Sequence, residues 1–401
     1  MSRALGAALA VAAVLGAAGA GAIDAGAAAG PAGPARGLRD VAARPADPDT
    51  VRLERVWPAM GTLFRAAASA TDSAAALAAL RAARATVARL DSLLSSYRPD
   101  SEVSELGRGA GSGAWVDLSP ETVRLLVSSL EWARRTDGAF DPTVGPLVEA
   151  WGFRGGPPRI PNPALLDSVR ALVDWRAVLV DRDGRSARLG RAGMEIDLGG
   201  IGKGYALDRA AETMRAAGAS AGMLDLGGNV RVFGRGPGPG GTWPIGIRYP
   251  RCPERVLGEV DLDSGSVATS GDYERFFERG GERFSHILDP RTGRPVRGVL
   301  QVTVAAPDGL TADVLSTAFF VLGPEAGRRL LVREPGVEGA AALWMSGVRR
   351  EGGAAGRRRG SAGPPSGVLL AGERTERFDL GTRATSAGCY EGDTAKPTEG
   401  P

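Results

Sequence analysis

The sequence predicts an α+β fold in which antiparallel-rich mixed sheets are flanked by helices. Two patterns predict this class. Segments with apolar residues at helical spacing occur in the first half of the chain and again at residues 311–333, whereas short β-type runs separated by glycines dominate residues 223–306. The apolar fraction of 43% and the charged fraction of 24% are typical of a globular protein.

The chain before residue 100 predicts β structure followed by a long helix. Residues 51–66 are β-type but interrupted at Pro58–Thr62, and a helix is expected over Ser73–Ser96 with Asp72 or Thr71 as its N-cap. The apolar residues of this helix lie on one face, so most of them should belong to the core. They are Leu77, Leu80, Val87, Leu90 and Leu94.

Capping and helix-ending residues indicate where later helices begin and end. Ser119 is expected to cap a helix that starts at Pro120 and stops at Gly138, and another helix is expected over Lys203–Ala217. The remaining expectations are a loop at Ala139–Leu147, helices at Thr311–Val321 and Pro324–Arg333, and strands at Ala341–Met345 and Val368–Leu370.

The two ends of the chain predict export and low order. Residues 1–22 resemble a signal peptide with a small-residue cleavage site, and an uncleaved inner-membrane anchor is the alternative. Residues 23–50 are expected to form a flexible linker and residues 381–401 a disordered tail. Residues 51–380 are then the folded domain, with an Arg/Gly-rich insertion at about 347–366. The expected location is the periplasm, and weak membrane association through the N-terminus follows from the alternative.

Composition excludes some functions. The formal net charge of +3 argues against a dedicated nucleic-acid-binding protein, which should carry a concentrated basic face. Cys252 and Cys389 are too few for a disulfide framework and lack metal-site spacing. One bridge between them can form in an oxidising compartment, although we interpret both as incidental.

The chain contains a single histidine, His286. An unperturbed imidazole is the only side chain that changes charge between pH 5 and 8, so His286 is the one candidate for a general base of that kind. A surface histidine without a role is the alternative. A β-type run leads through His286 into the tight turn Asp289–Gly293, and such a rigid junction favours the catalytic interpretation.

A glycine-rich loop, Glu195 to Tyr205, separates a predicted strand from a predicted helix. Backbone amides at the helix N-terminus suit a phosphate, and the glycines allow a ligand to approach the backbone closely. Gly204 follows Lys203 where a nucleotide-hydrolase phosphate loop requires Ser or Thr, which excludes a loop of that type. A plain strand-to-helix turn is the structural alternative.

Two other segments contain candidate polar residues. Asp313 and Thr317 are four positions apart and share a helix face, where a carboxylate and a hydroxyl can bind Mg²⁺. Helix capping, with Thr317 bonding back to a carbonyl, is the structural alternative for this pair. In the segment Leu224–Val230, Asp225 is expected to hold a glycine turn.

Six motifs occur in a fixed order along the chain. They are Met60-Gly61-Thr62, Phe140-Asp141-Pro142-Thr143-Val144-Gly145-Pro146-Leu147, Asp197-Leu198-Gly199-Gly200-Ile201-Gly202-Lys203-Gly204, Asp225-Leu226-Gly227-Gly228-Asn229, Ser285-His286-Ile287-Leu288-Asp289-Pro290-Arg291-Thr292-Gly293 and Ala312-Asp313-Val314-Leu315-Ser316-Thr317-Ala318. Together they resemble the ApbE family, the FAD:protein FMN transferases, and the resemblance covers residues 52–346. It implies an ApbE-like fold.

The resemblance implies an enzyme that cleaves the pyrophosphate of FAD with Mg²⁺, transfers FMN to a Thr or Ser hydroxyl of an acceptor protein and releases AMP. By motif position, His286 is the base that deprotonates the hydroxyl. The implied metal ligands are Asp313, Thr317 and the backbone carbonyl of Gly200. The positions that match FAD contacts are Met60, Tyr97, Ala139, Phe140, Asp141, Asp197, Lys203 and Ile287.

Two alternatives use the same residues. A Mg²⁺-dependent FAD pyrophosphatase would produce FMN and AMP if water replaced the hydroxyl, and a non-catalytic periplasmic flavin-binding protein would hold FAD without turnover. The presence of His286, Asp313 and Thr317 argues against the second, because storage needs none of them. The implied partners are FAD and an exported or membrane acceptor flavoprotein carrying a Thr/Ser flavinylation motif, which this chain lacks.

Overall fold

The structure, a computed structural model, describes residues 49–347, 365–372 and 378–379. Its α-helices are α1 Ser73–Leu94, α2 Glu102–Arg108, α3 Pro120–Arg135, α4 Gly145–Ala150, α5 Pro163–Arg170, α6 Gly202–Ala216 and α7 Gly309–Arg333. Its first nine strands are β1 Val51–Ala59, β2 Thr62–Ala70, β3 Val116–Asp117, β4 Val178–Asp181, β5 Ser186–Leu189, β6 Ala221–Leu226, β7 Asn229–Phe233, β8 Trp243–Tyr249 and β9 Cys252–Leu262. The others are β10 Gly265–Gly271, β11 Phe276–Arg279, β12 Glu282–Ser285, β13 Leu288–Asp289, β14 Arg294–Pro295, β15 Val299–Ala306, β16 Ala341–Gly347, β17 Pro365–Gly372 and β18 Phe378–Asp379.

An eight-stranded sheet forms the centre of the protein, in the order β1-β2-β6-β7-β10-β15-β16-β17. Neighbouring strands of this sheet run antiparallel. Side chains alternate between its faces. In β6, Leu224 and Leu226 join the core beneath α1, α6 and α7, whereas Ala221 and Met223 join a second core with β8 and β9. The predicted α+β class is confirmed.

Short-range signals start and stop the predicted helices. The carboxylate of Asp72 accepts a hydrogen bond from the N–H of Ala75 at 2.8 Å, and the hydroxyl of Ser119 accepts one from the N–H of Thr122 at 3.3 Å. Gly138 adopts a φ of 71° after α3, which favours glycine and ends the helix. The predicted caps at these positions are confirmed.

The C-terminal helix combines two predicted segments. Gly323 has a φ of 74° and is followed by Pro324 inside α7, so the run Gly309–Arg333 is interrupted where the sequence predicts a break. The short helices α2, α4 and α5 were not predicted. Helix α4 also begins inside the segment Ala139–Leu147, which the sequence predicts as a loop.

The last two predicted strands pair with each other as β16 and β17. The predicted insertion is therefore the connection between adjacent strands, and its residues 348–364 lie outside the described part of the chain. The predicted signal peptide, nearly all of the linker and the predicted tail also lie outside it. Within the described part, no helix combines the length and apolar character needed to cross a bilayer.

One cysteine differs from the sequence-based interpretation. Cys252 is buried and disulfide-bonded, so it is not an incidental free thiol. Cys389, the only other cysteine in the sequence, lies outside the described residues.

Candidate active site

His286 lies between β12 and β13, on a small aromatic core. Phe284 and Leu288, two residues on either side of it, pack in one cluster with Trp151. The indole N–H of Trp151 donates to the carbonyl of Gly293 at 2.8 Å and so anchors the turn that follows the histidine. This packing makes the junction rigid, as the turn sequence predicts.

The main chain of Arg275 holds the imidazole. Its carbonyl oxygen accepts the backbone N–H of His286 at 2.9 Å and lies 3.1 Å from Nδ1 of the ring. The pKa of His286 is lowered to about 4, chiefly because burial desolvates the ring and then because the positive charge of Arg275 is close. Lys203 also lowers this pKa, while Asp197 raises it. The imidazole is therefore neutral at pH 7 and can accept a proton.

A titration of His286 checks this protonation state directly. Because the chain has one histidine, its imidazole NMR signal needs no assignment by mutagenesis. The lowered pKa predicts a signal that stays constant from pH 8 to about 5.5 and moves near pH 4. An unfolded chain binds this proton at the ordinary histidine pKa of about 6.5. The free energy of unfolding should therefore decrease as the pH falls from about 6.5 to about 4. A midpoint near the ordinary histidine value would contradict the prediction.

Asp197 joins the glycine loop to three other segments. Its backbone N–H donates to the carbonyl of Pro142 at 2.7 Å, and its Oδ1 accepts the N–H of Gly199 at 2.9 Å. Its Oδ2 accepts hydrogen bonds from Arg154 at 3.1 Å and from the Ser96 hydroxyl at 3.2 Å. Both carboxylate oxygens are therefore engaged in shaping the loop at the entrance to α6.

Asp313 links α7 to the start of α6. Its Oδ2 accepts the backbone N–H of Gly204 at 2.9 Å, and its Oδ1 lies 3.5 Å from Nζ of Lys203, which also donates to the carbonyl of Gly199 at 3.0 Å. Helix capping is instead performed by Asp308, whose carboxylate accepts the N–H of Thr311 at 2.7 Å. Asp313 therefore does not cap its own helix; it is buried and accepts an N–H from the first turn of α6.

Thr317 lies one turn further along α7, against the same loop. Its hydroxyl is 3.4 Å from the Ser270 hydroxyl, and a Cβ added to Gly200 would lie only 3.0 Å from Thr317 Oγ1. The glycine at position 200 therefore brings the loop backbone close to the threonine. The structure brings together the three predicted metal-binding residues, with Lys203 beside them.

Helices α6 and α7 approach too closely at Gly204 for any side chain. An added Cβ would lie 2.0 Å from the carbonyl oxygen of Gly309 and 2.7 Å from Cβ of Asp313. We expect Gly204→Ala to destabilise the fold by about 1–3 kcal/mol, which lowers Tm by several degrees. Gly202→Ala is the matched control, since its Cβ would meet only Leu198 Cβ, at 3.8 Å. Equal melting temperatures for the two variants, measured calorimetrically, would show that the helices can separate without loss.

The chemistry of these donors suits a hard cation. A carboxylate, a hydroxyl and a backbone carbonyl are oxygen ligands of the kind Mg²⁺ prefers, and Mg²⁺ commonly completes its shell with water and substrate phosphates. In the described part of the chain, no three His, Cys, Asp or Glu residues form a metal-binding group. The set Asp313, Thr317 and Gly200 therefore fits a metal shared with a phosphate ligand better than a fully protein-bound ion.

Other predicted ligand contacts lie deeper in the fold. Ala139, Phe140 and Ile287 are buried. Asp141 is also buried, which raises its pKa, and its Oδ1 accepts hydrogen bonds from the N–H and hydroxyl of Thr143 at 2.8 and 2.6 Å. The side chain of Asp141 therefore holds its own loop, and a role of this segment in ligand contact stays a prediction.

Met60 and Tyr97 both lie near the C-terminal end of α1, which spans Ser73–Leu94. Met60 occupies the β1–β2 turn with a φ of 47°, and its N–H donates to Asp91 Oδ2 at 3.3 Å. Tyr97 is exposed, and its hydroxyl accepts a hydrogen bond from Arg275 at 2.7 Å. Tyr97 is thereby connected to the loop that holds His286, whereas Met60 is bonded to α1.

Two arginines of this site were not predicted from the sequence. Arg154 forms ion pairs with Glu195 at 2.5 Å and Asp197 at 3.1 Å, and Arg275 bonds to His286 and Tyr97. Both arginines lie in connections between helices or strands and belong to none of the six motifs. The chain contains many arginines, so no local signal distinguishes these two.

Comparisons with known proteins agree with the geometry. The sequence profile of the ApbE family matches residues 60–341. The FAD:protein FMN transferase of Escherichia coli K12 is 33% identical over 281 residues, which cover 69% of this chain and 80% of that protein. The protein of the same name from Treponema pallidum is 36% identical over 295 residues, covering 70% and 81% respectively.

Solved structures give the same result for the fold. The ApbE protein of Thermotoga maritima superposes with a TM-score of 0.67 at 37% identity, covering 74% of this chain and 94% of that chain. The flavinyl transferase ApbE of Pseudomonas stutzeri superposes with a TM-score of 0.66 at 30% identity, covering 82% and 96%. The ApbE-like fold implied by the six motifs is confirmed.

Proposed function

The chain belongs to the ApbE family of flavin transferases, and from this premise we propose that it transfers FMN from FAD to a Thr or Ser hydroxyl of an acceptor protein in a Mg²⁺-dependent reaction that releases AMP. The observation that carries the proposal is the chain of contacts that joins His286 to the glycine loop: Arg275 holds the imidazole and donates to the carbonyl of Phe153, and the next residue, Arg154, pairs with Asp197 at 3.1 Å. Asp313 is joined to that site through Lys203. A proton acceptor next to a phosphate-binding loop is the arrangement that phosphoryl transfer to a hydroxyl requires.

His286 would take the proton of the acceptor hydroxyl. Since Nδ1 faces the carbonyl of Arg275, Nε2 is the nitrogen with a free lone pair. As the proton moves to Nε2, the acceptor oxygen forms a bond to the phosphorus of the FMN half of FAD. The bond from this phosphorus to the bridging oxygen breaks, and AMP leaves with that oxygen.

The negative charge of the two phosphates is offset by groups of the glycine loop. Lys203 is positioned there by the carbonyl of Gly199, and the N-terminal end of α6 carries the positive end of the helix dipole. Asp313, Thr317 and the carbonyl of Gly200 would hold Mg²⁺, which supplies further charge stabilisation to the phosphates when bound. Positioning and charge neutralisation are the main requirements of this chemistry.

The proposal is tested with the full chain, FAD, Mg²⁺ and a small acceptor domain that carries the flavinylation motif. Flavin fluorescence of the acceptor that survives denaturing electrophoresis reports the covalent product, and AMP release reports cleavage. AMP release without labelled acceptor, at a rate unaffected by the acceptor domain, would support the pyrophosphatase instead. FAD binding with neither product would support a flavin-binding protein and contradict the transferase.

We further propose that the protein acts in the periplasm, because residues 4–22 are almost entirely Ala, Val, Leu and Gly and end in a small-residue cleavage site. Protein recovered from the periplasm should begin near Ile23 on N-terminal sequencing. The control is a chain with two arginines inserted in the apolar run, which should stay in the cytoplasm. Recovery of the chain from Met1 in membranes alone would favour the anchor.

A further inference from the structure

Arg275 lies in the connection between β10 and β11 and contacts three separate segments. Its carbonyl bonds His286, its Nη1 donates to the Tyr97 hydroxyl at 2.7 Å, and its Nη2 donates to the carbonyl of Phe153. We propose that Arg275 is a positioning residue that holds His286, Tyr97 and the backbone at Phe153 in one arrangement for the reaction. This inference deepens the proposed function and rests on it for its catalytic consequence.

The backbone carbonyl of Arg275 orients the imidazole ring of His286. A carbonyl oxygen only accepts hydrogen bonds, so the neutral His286 ring carries its proton on Nδ1. The ring of Phe153 meets the imidazole edge-on, with centroids 6.5 Å apart and an interplanar angle of 71°. These two contacts restrict rotation of the ring and leave Nε2 as the reactive nitrogen.

The side chain of Arg275 keeps its charge unneutralised. Among the described residues, Arg275 has no carboxylate within ion-pair distance, whereas Arg154 pairs with Glu195 and Asp197. Its guanidinium donors are directed at neutral oxygens instead. The charged groups that act on His286 are Arg275 and Lys203, which disfavour its protonation, and Asp197, which favours it.

The backbone of this connection is anchored independently of the Arg275 side chain. Asp272 forms a two-pronged ion pair with Arg251, with both distances 2.7 Å, and the Tyr273 hydroxyl donates to Gln301 at 2.9 Å. Truncation of the Arg275 side chain should therefore leave its carbonyl in place. What it removes is the bonds to Tyr97 and Phe153 and the positive charge beside the imidazole.

Three variants test the proposal: Arg275→Ala, Arg275→Lys and, as a control, Arg279→Ala, an exposed arginine on the same hairpin. Arg275→Ala should lower kcat on the order of tenfold to 10²-fold, with a smaller change in the KM for FAD. The midpoint pH of the His286 titration, followed by NMR, should rise by about one pH unit, since a nearby positive charge is lost. Arg275→Lys should keep the low midpoint but lose rate, because lysine lacks the planar fork that reaches both oxygens.

Arg279→Ala should change neither quantity. The proposal is wrong if Arg275→Ala matches Arg279→Ala in both kcat and the His286 midpoint while melting at the parent temperature. If Arg275→Ala unfolds, the kcat of Arg275→Lys compared with that of Arg279→Ala decides, because a purely structural arginine would leave kcat unchanged in the folded variant. If the parent transfers no flavin, the proposed function fails, and the His286 midpoint in the variants still tests the positioning role.

Discussion

Replacing His286 with asparagine is expected to slow FMN transfer by about 10²- to 10⁴-fold, which is the contribution of a general base. The amide N–H of asparagine can donate to the Arg275 carbonyl as Nδ1 does, but asparagine has no basic nitrogen. FAD binding should persist, because the glycine loop and Lys203 are unchanged. Transfer is measured as acceptor fluorescence after denaturing electrophoresis, and FAD binding by fluorescence titration.

His286→Ala is the companion variant. It removes the base, the side-chain hydrogen bond to Arg275 and the ring contact with Phe153, so it should lose at least as much rate as His286→Asn. A parent-like rate in His286→Asn would remove His286 from the reaction. Loss of FAD binding in both variants would instead assign the histidine to substrate binding.

Asp313→Asn is expected to lower Mg²⁺-dependent transfer by about 10²-fold or more. A metal ion supplies several kcal/mol of charge stabilisation, and each 1.4 kcal/mol is about a factor of ten in rate. Asparagine can still accept the N–H of Gly204, so the junction of α6 and α7 should remain intact. Transfer is measured against Mg²⁺ concentration at saturating FAD, together with the melting temperature.

Asp308→Asn is the matched control for Asp313→Asn. Asp308 caps the same helix, and asparagine is an equally good N-cap, so this variant should keep the parent Mg²⁺ dependence. Unchanged activity of Asp313→Asn, or activity indifferent to a chelator, would contradict the metal assignment. A loss of melting temperature in Asp313→Asn alone would show that the carboxylate is needed for helix packing.

Features that depend on neighbours in the chain were predicted. The structure confirms the predicted helix caps at Asp72 and Ser119 and the predicted helix end at Gly138. Each of these interactions acts over three or four residues. Asp225 holds its glycine turn through the N–H of Gly228 at 2.9 Å, as expected. These interactions are local, so residue type and spacing are enough to identify them.

The short helices show the limit of periodicity. Helices α2, α4 and α5 span seven, six and eight residues, which is too short for an apolar stripe to repeat. Two of them had usable signals at their starts. Ser101 accepts the N–H of Ser104 before α2, and Asn162 caps α5 just before Pro163.

The sequence by itself determined which reactive groups exist: one histidine, the Asp313 and Thr317 pair, and six ordered motifs that identify the family. Only the tertiary structure decided which groups they contact. It directs Asp313 to an N–H 109 residues away, and it joins Arg275 to Tyr97 across 178 residues. Such contacts leave no periodic or short-range signal, and the protonation state of His286 follows from burial and charges that only folding assembles.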